Sequence, residues 1–346
     1  MSVRYLGSKT RLLDRILPIV GRPTRRSGMF VDAFCGTGAV AEAAAKNGWP
    51  IRLNDNLSSA VIMSHARLLS FRDVPFKAFG GYRKTLRELN EAKSKAGFIW
   101  QQYSPASKKL TGIERRYFTE QNAIRIDGIR SKITSWKKKS LLTLAEERLL
   151  VADLLLASNR VANIAGTYGC FLSYWSPQAI QILVLQEREL FSRQVDVTTS
   201  VSDVSSVEVN EEDVVYFDPP YTKRQYAAYY HILETIALGD KPSVGGITGL
   251  RPWKDKASAF CYRRRALDAL VELIRKQLSK KILLSYSDEG HVALKPLTSA
   301  LSLLGKLSVM PLKEIGRYRP NIAASNAGGS VTEYLLELVQ PRRAFA

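Results

Sequence analysis

The chain has 346 residues, and its 51 Lys and Arg residues outnumber 32 Asp and Glu residues, which gives a formal net charge of +19. This length suits two domains or one domain with a large insertion, and a hydrophobic content of 45% excludes wholesale disorder. No stretch approaches the roughly 20 apolar residues of a membrane helix, and the N-terminus lacks the apolar core of a secretory signal. The three cysteines and three histidines are too scattered for a disulfide framework or a metal site. We therefore expect a cytoplasmic protein with a polyanionic partner.

The first predicted elements are those of a doubly wound α/β sheet. Residues 29–34 favour a strand, Cys35-Gly36-Thr37-Gly38 a tight turn, and residues 39–47 a helix. Residues 50–53 favour a second strand, which runs on to Asp55. This succession is typical of the first half of a nucleotide-binding sheet, whose ligand lies beyond the carboxyl ends of the strands.

A basic and mostly helical insertion follows, with amphipathic helices predicted over residues 113–133 and 143–164. Residues 71–140 contain 17 Lys and Arg against 6 Asp and Glu, and residues 254–281 contain 9 against 3. Charge runs are usually solvated faces, but aromatic residues alternate with the cations in the first stretch. We therefore predict a surface for phosphates and bases there, with these aromatic members: Tyr82, Trp100, Tyr103, Tyr117, Phe118 and Trp136.

The sheet resumes after the insertion. Residues 214–217 favour a buried strand that ends in Asp218-Pro219-Pro220-Tyr221, and residues 281–285 favour another. Residues 303–312 and 331–339 should pair as an antiparallel hairpin at the sheet edge. His231 opens a predicted helix, where we expect it to be packed rather than catalytic.

The glycine turn leaves two cofactors open. Gly36-x-Gly38-x-x-Ala41, with Asp55 at the end of the second strand, fits a dinucleotide fingerprint and hence a nicotinamide oxidoreductase. Asp32 just before the turn would repel a pyrophosphate but attract a cationic amino group, which favours S-adenosyl-L-methionine. A plain turn-forming carboxylate is the structural alternative for Asp32. Gly7-Ser8-Lys9-Thr10 lacks the glycine that a phosphate-binding loop needs directly before its lysine.

Asp218-Pro219-Pro220-Tyr221 is suited to activating an amino group on a planar ring. Prolines lack an N–H, so they end the strand and leave carbonyl acceptors available. The Asp218 carboxylate and the Pro219 carbonyl could accept both N–H groups, while Tyr221 stacks on the ring. Methyl transfer from a sulfonium needs such positioning more than strong acid–base catalysis.

These motifs resemble the Dam-like, alpha-group class of adenine-specific DNA methyltransferases over nearly the whole chain. Arg4-Tyr5-Leu6-Gly7-Ser8-Lys9 is similar to the family's N-terminal motif, and residues 30–38 to its methionine-binding motif. The resemblance implies a mostly parallel, doubly wound sheet of the S-adenosylmethionine-dependent type with an inserted helical DNA-recognition domain. It also implies a set of cofactor-binding residues: Tyr5, Lys9, Asp32, Gly36, Gly38, Asp55, Asp203 and Asp218.

Domains and partners follow from the same resemblance. Residues 1–71 and 167–346 would form the catalytic domain, and residues 72–166 the target-recognition domain. The partner would be double-stranded DNA, with a cognate restriction endonuclease as a possible companion and a monomer as the favoured state. The predicted DNA contacts are Arg115, Arg116, Lys137, Lys138, Lys139, Lys223 and Arg224, with Arg263, Arg264, Arg265, Arg317 and Arg319 as further candidates.

The predicted activity is transfer of a methyl group to N6 of an adenine flipped out of duplex DNA. An RNA or guanine methyltransferase, or a cytosine amino methyltransferase, could use the same tetrapeptide. A DNA-binding protein with a degenerate site is the non-enzyme alternative, although Asp32, Asp55 and Asp218 are all intact.

Overall fold

The computed structural model describes residues 5–7, 9–316 and 330–341. The strands are β1 Phe30–Asp32, β2 Ile51–Asp55, β3 Val197–Val201, β4 Val214–Phe217, β5 Lys281–Ser287, β6 Lys306–Gly316 and β7 Ser330–Val339. The α-helices are α1 Leu13–Val20, α2 Ala39–Lys46, α3 Ser58–Ala66, α4 Tyr82–Asn90, α5 Phe98–Tyr103, α6 Lys108–Thr111, α7 Glu120–Lys138, α8 Leu144–Arg160, α9 Tyr226–Tyr229, α10 His231–Leu238, α11 Ala266–Lys276 and α12 Leu294–Ser302.

The chain divides into two compact units. The sheet unit comprises the described residues of Ser8–Asn56, Asp196–Tyr226 and Lys256–Ala346. The helical unit comprises those of Met1–Gly7, Leu57–Val195 and Ala227–Asp255, and so contains residues 72–166 with additional segments on both sides. No helix in the described ranges is both long and apolar enough to cross a membrane.

The sheet unit contains a seven-stranded sheet in the order β3-β2-β1-β4-β5-β7-β6. The first five strands in this order are parallel, and β7 pairs antiparallel with both β5 and β6. The predicted mixed sheet and its antiparallel hairpin at the edge are therefore confirmed. Strand β3 was not predicted, because its Val-Thr-Thr-Ser-Val sequence at an exposed edge has little apolar signal.

Burial of both faces fixes the centre of this sheet. All three residues of β1 and all four of β4 are buried, as continuous apolar runs in parallel strands require. On one face, α11 and α12 cover the strands through an apolar cluster: Val31, Phe217, Leu270, Ile274, Ile282, Leu284, Leu297 and Leu336. The rigid centre sets the positions of the loops that leave the carboxyl ends of β1 and β4.

The helical unit is built around α7 and α8. Helix α8 starts with a capping box, in which Thr143 and Glu146 each accept from the other's backbone N–H. Helix α7 starts later than the predicted residue 113, because the Thr119 side chain accepts from the Asn122 N–H and caps it there. His231 is fully buried with Nε2 3.1 Å from the Tyr168 carbonyl, as a packed histidine would be.

The prediction of an aromatic surface in the insertion is wrong. Five of its six rings are at most 6% exposed and lie in the core of the helical unit: Tyr82, Tyr103, Tyr117, Phe118 and Trp136. Only the Trp100 ring is partly accessible. The aromatic spacing in this stretch reflects the buried faces of helices and connecting segments, so these rings cannot stack on bases.

Candidate active site

The glycine turn connects β1 to α2 on the side of the sheet where the parallel strands have their carboxyl ends. Gly36 and Gly38 have φ of 48° and 79°, in the left-handed region that side chains disfavour, and Gly38 is the N-cap of α2. Because β1 and β2 are parallel neighbours, the turn meets the end of β2, where the Gly36 N–H donates to Asp55 Oδ2 at 3.0 Å. Asp55 thus stabilises the turn in addition to its predicted role in cofactor binding.

Asp32 is a buried carboxyl group with spare hydrogen-bonding capacity. Its side chain is 2% exposed, and Oδ1 has no hydrogen-bond partner among the described residues. Burial, with the nearby carboxylates of Asp218 and Asp55, raises the Asp32 pKa from 3.8 to about 8. The unpartnered oxygen beside the glycine turn indicates that Asp32 is a site for a cationic amino group rather than a plain turn-forming carboxylate. A cation bound there would restore the ionised form of Asp32.

Asn54 is a structural residue of this edge that sequence reasoning missed. Its Nδ2 donates to the carbonyls of Ala33 and Ser202, both at 3.2 Å. Its Oδ1 accepts from the hydroxyls of Ser200 and Ser202 at 2.8 and 2.9 Å. The side chain therefore ties together the ends of β1, β2 and β3, and only the strand order reveals this.

Asp203, one of the predicted cofactor-binding residues, is exposed just after β3. Its Oδ1 accepts from the N–H of Ser205 at 2.9 Å and from its hydroxyl at 2.6 Å, which caps the short 3-10 helix Val204–Ser206. The carboxylate is therefore held at the end of the third parallel strand. Its contact with a cofactor stays a prediction.

Asp218 follows β4 directly and forms a close ion pair with Lys9, with Nζ 2.9 Å from Oδ1. Burial raises the Asp218 pKa, the Lys9 cation lowers it and the Glu333 carboxylate raises it again, to about 6 in total. For Lys9, burial alone would lower the pKa, but the attraction of Asp218, Tyr221 and Glu333 holds it well above its ordinary value. At neutral pH the pair is therefore charged.

Glu333 is a further member of this cluster that the sequence analysis did not identify. It lies on β7, opposite Ser287 at the carboxyl end of β5. Its Oε2 is 3.7 Å from Lys9 Nζ, and its Oε1 accepts from the Tyr221 hydroxyl at 3.1 Å. Because β7 runs antiparallel to β5, a residue near the start of β7 lies beside the carboxyl ends of β4 and β5, where Asp218 is.

The loop after Asp218 is tied to neighbouring segments of the sheet unit. Gln225 and the backbone of Ser258 exchange two hydrogen bonds of 3.1 and 2.8 Å. The His291 N–H donates to the Tyr221 carbonyl at 2.8 Å, and its Nε2 is 3.0 Å from the Cys261 carbonyl. These contacts fix the Tyr221 backbone, and none was visible as a motif.

The N-terminal motif is shared between the two units. Lys9 belongs to the sheet unit, whereas the Tyr5 ring stacks on Tyr230 of the helical unit at a centroid distance of 4.1 Å. The role of Tyr5 in cofactor binding stays a prediction. Arg4 and Ser8 of the same motif lie outside the described residues.

Among the predicted DNA contacts, Arg115 is wrong. Its side chain is 2% exposed, and its guanidinium donates to the carbonyls of Gly246 and Ile247 and to both oxygens of Gln102 at 2.9–3.1 Å. A guanidinium saturated by protein acceptors in the core cannot reach a phosphate. Arg115 instead anchors the loop around Gly246.

The other basic candidates differ in accessibility. Arg116 is half-buried beside Glu114 at 2.7 Å, and Lys137 pairs with Glu147 at 2.8 Å. The remaining candidates within the described ranges are exposed: Lys138, Lys139, Lys223, Arg224, Arg263, Arg264 and Arg265. Arg317 and Arg319 lie outside the described residues.

Comparison with known proteins gives the family. Residues 5–291 match the model of the D12 class N6 adenine-specific DNA methyltransferases. The chain is 35% identical over 310 residues to the type II methyltransferase M.FokI of Planomicrobium okeanokoites, a match that covers 88% of this chain and 47% of M.FokI. It is 33% identical over 320 residues to the modification methylase StsI of Streptococcus sanguinis, covering 90% of this chain and 48% of StsI.

A third relative is similar along most of its length. The type II methyltransferase M.NlaIII of Neisseria lactamica is 30% identical over 319 residues, covering 89% of this chain and 90% of M.NlaIII. The chain thus spans about half the length of M.FokI and StsI and most of M.NlaIII. The predicted family and fold class are confirmed, and a nicotinamide oxidoreductase is excluded. The chain belongs to the D12 class of N6 adenine-specific DNA methyltransferases.

Proposed function

We propose that this chain transfers a methyl group from S-adenosyl-L-methionine to N6 of an adenine that has left the stack of duplex DNA. The observation that carries the proposal is the Asp218-Pro219-Pro220-Tyr221 loop at the end of β4, with an ion-paired carboxylate that is 16% exposed, beside the glycine turn of the neighbouring β1. The two sites share one edge of the sheet, so a methyl donor and an amino group can meet there.

Several residues of the sheet unit would hold the cofactor. The orphaned oxygen of Asp32 suits the ammonium group of the methionine moiety, and Asp55 suits the ribose hydroxyls. Asp203 would accept from the amino group of the cofactor adenine, and Lys9 and Tyr5 complete the set by family likeness. The cofactor supplies an electrophilic methyl group on a sulfonium; all other requirements fall on the protein.

Asp218 would prepare the target nitrogen. Its carboxylate accepts one N–H of the adenine amino group and the Pro219 carbonyl accepts the other, which keeps the nitrogen lone pair directed at the methyl carbon. The nitrogen becomes positively charged as the N–C bond forms and the methyl–sulfur bond breaks, which would leave a neutral thioether. The nearby carboxylate stabilises the positive charge until the nitrogen loses a proton to solvent. Tyr221, whose backbone is fixed by His291, would stack on the base.

The substrate and partners are proposed on the same basis. Duplex DNA is the substrate, and exposed cations would contact its phosphates, with these candidates: Lys138, Lys139, Lys223 and Arg224. Location in the cytoplasm, a monomeric state and a cognate restriction endonuclease complete the proposal, the last by likeness to type II modification enzymes. Light scattering after size exclusion tests the monomer.

The experiment is a methyl-transfer assay followed by identification of the modified nucleoside. The chain is incubated with labelled cofactor and either duplex DNA or structured RNA. The expected product is N6-methyl-2′-deoxyadenosine. Asp218→Ala should abolish transfer while duplex binding survives. Full activity of that variant would refute the mechanism, and a modified cytosine or RNA would assign one of the alternative substrates.

A further inference from the structure

Glu333 links two of the groups that surround Asp218. One carboxylate oxygen lies 3.7 Å from Lys9 Nζ and the other accepts from the Tyr221 hydroxyl at 3.1 Å, while Lys9 itself lies 2.9 Å from Asp218. Its side chain is 13% exposed, and Lys9 is 4% exposed. Glu333 lies beyond residue 291, where the match to the family model ends.

The charges of this cluster do not cancel. Lys9 alone would neutralise Asp218, and a neutral pair offers little stabilisation to a nitrogen that becomes positive during methyl transfer. With Glu333 present, one cation is shared between two carboxylates, and the cluster keeps a net negative charge. The longer distance to Glu333 shows that Lys9 is drawn mainly to Asp218 but is not held by it alone.

The Tyr221 ring is also constrained by this arrangement. Its hydroxyl donates to Glu333, and its ring centroid lies 5.7 Å from Lys9 Nζ and 5.3 Å from the ring centroid of Tyr286. A fixed ring loses less conformational entropy when a base stacks on it.

We propose that Glu333 is a positioning residue for the methyl transfer: it shares Lys9 with Asp218, so that the Asp218 carboxylate can accept from the amino group, and it orients the Tyr221 ring. This inference rests on the proposed function. Glu333 does not touch the reacting atoms and acts through its two partners.

The ionisation of Asp218 offers a readout specific to this role. Among the described residues, the titratable groups that face Asp218 are Lys9 of the 3-10 helix Lys9–Leu12, Glu333 of β7, Tyr221 of the same loop, Asp32 of β1 and Tyr216 of β4. Among them, Glu333 raises the Asp218 pKa and Lys9 lowers it. Removal of the Glu333 charge should therefore move the Asp218 pKa downward.

The test compares Glu333→Gln with Glu337→Gln. Glu337 is a matched control, since it lies on the same strand, is 24% exposed and pairs with a lysine, Lys281, at 3.2 Å. Glu333→Gln should lower kcat about tenfold, because the Glu333 charge stabilises the target nitrogen only as that nitrogen becomes positive in the transition state. Its acid limb in kcat/KM should move to lower pH, and Glu337→Gln should match the wild type in both. Glu333→Asp, which keeps the charge, should recover part of the lost rate.

An unchanged kcat, an acid limb that does not move, or a Glu333→Asp variant as slow as Glu333→Gln would each overturn the inference. Carbon-13 NMR titration of the Asp218 carboxyl, assigned with Asp218→Asn, gives the same answer without turnover. A lower Asp218 pKa in Glu333→Gln than in the wild type supports the inference, and an equal one overturns it. If the wild type makes no N6-methyladenine, the proposed function fails, while the NMR result still judges the role of Glu333.

Discussion

Asp32 is the residue at which cofactor binding and proton release should be coupled. Its pKa of about 8 means that the buried carboxyl is mostly protonated at pH 7, whereas pairing with an ammonium group requires the ionised form. We predict that binding of S-adenosyl-L-methionine at pH 7 releases close to one proton. Calorimetry in buffers of different ionisation enthalpy measures this number.

Asp32→Asn is the control for that experiment. The amide has no proton to release and cannot pair with a cation, so both the proton release and most of the affinity should disappear, with Kd rising about a hundredfold. Proton release that persists in Asp32→Asn would show that another group titrates on binding.

The same carboxyl should lower the stability of the protein without its cofactor. In the unfolded chain Asp32 ionises near pH 3.8, but in the fold it stays neutral until about pH 8, so folding costs increasingly more as pH rises between these values. We predict that the stability advantage of Asp32→Asn over the wild type grows by about 4 kcal/mol between pH 4 and pH 7.5, because each pH unit between the two pKa values contributes about 1.4 kcal/mol. Urea unfolding at both pH values measures the difference, and a pH-independent difference would contradict the shifted pKa.

At the scale of elements, the sequence predicts what local patterns determine. The strand over residues 214–217 matches β4, and Asp32, Gly36 and Asp218 lie at strand ends, because a strand and its following turn are contiguous in the chain. Asn54 and Glu333 were missed, since their roles depend on which strands become neighbours. Glu333 reaches Lys9 across more than 300 residues of chain only through the register of β7 on β5.

Arg115 shows a different error: its charge predicts a position on the surface, whereas packing buries it in the helical unit. Together with the Tyr103 hydroxyl, which donates to the Gly249 carbonyl at 3.0 Å, it holds the loop between Gly245 and Leu250 against the helical unit. We predict that Arg115→Met lowers the free energy of unfolding by about 2–4 kcal/mol, because the part-buried acceptors of Gln102, Gly246 and Ile247 lose their donor.

The matched control is Lys138→Met, an exposed cation of the same unit, which should change the free energy of unfolding by less than about 0.5 kcal/mol. Arg115→Lys should not rescue the loop, since one ammonium cannot replace a planar fork that spans several acceptors. Urea unfolding and DNA binding over a range of salt measure both effects. An Arg115→Met variant that is as stable as the wild type, but whose DNA binding depends less on salt, would support the original prediction that Arg115 contacts a phosphate.

At the scale of the whole molecule, the net charge of +19 has more than one purpose. Part of it is internal, as in Arg115, and part is locally compensated, as in the pair of Lys137 with Glu147. Lys138 and Lys139 at the end of α7 are exposed, and the carboxyl end of a helix also favours cations there. Charge counts along the sequence therefore overestimate the number of cations available to contact DNA. Only the exposed and uncompensated cations are candidates for phosphate contacts.

We predict that Lys138→Gln with Lys139→Gln weakens duplex binding and reduces the slope of log K against log salt by about 2, since each phosphate contact contributes about 0.9. Adding Lys137→Gln should change the slope less than either of the others, because Glu147 already compensates that charge. Lys46→Gln is the control, as Lys46 is also exposed in the last turn of a helix but lies in α2 of the sheet unit beside Glu42. Fluorescence anisotropy between 50 and 300 mM salt measures the slopes. An unchanged slope in the double variant would remove the end of α7 from the DNA-binding surface. The exposed candidates left would be Lys223, Arg224, Arg263, Arg264 and Arg265.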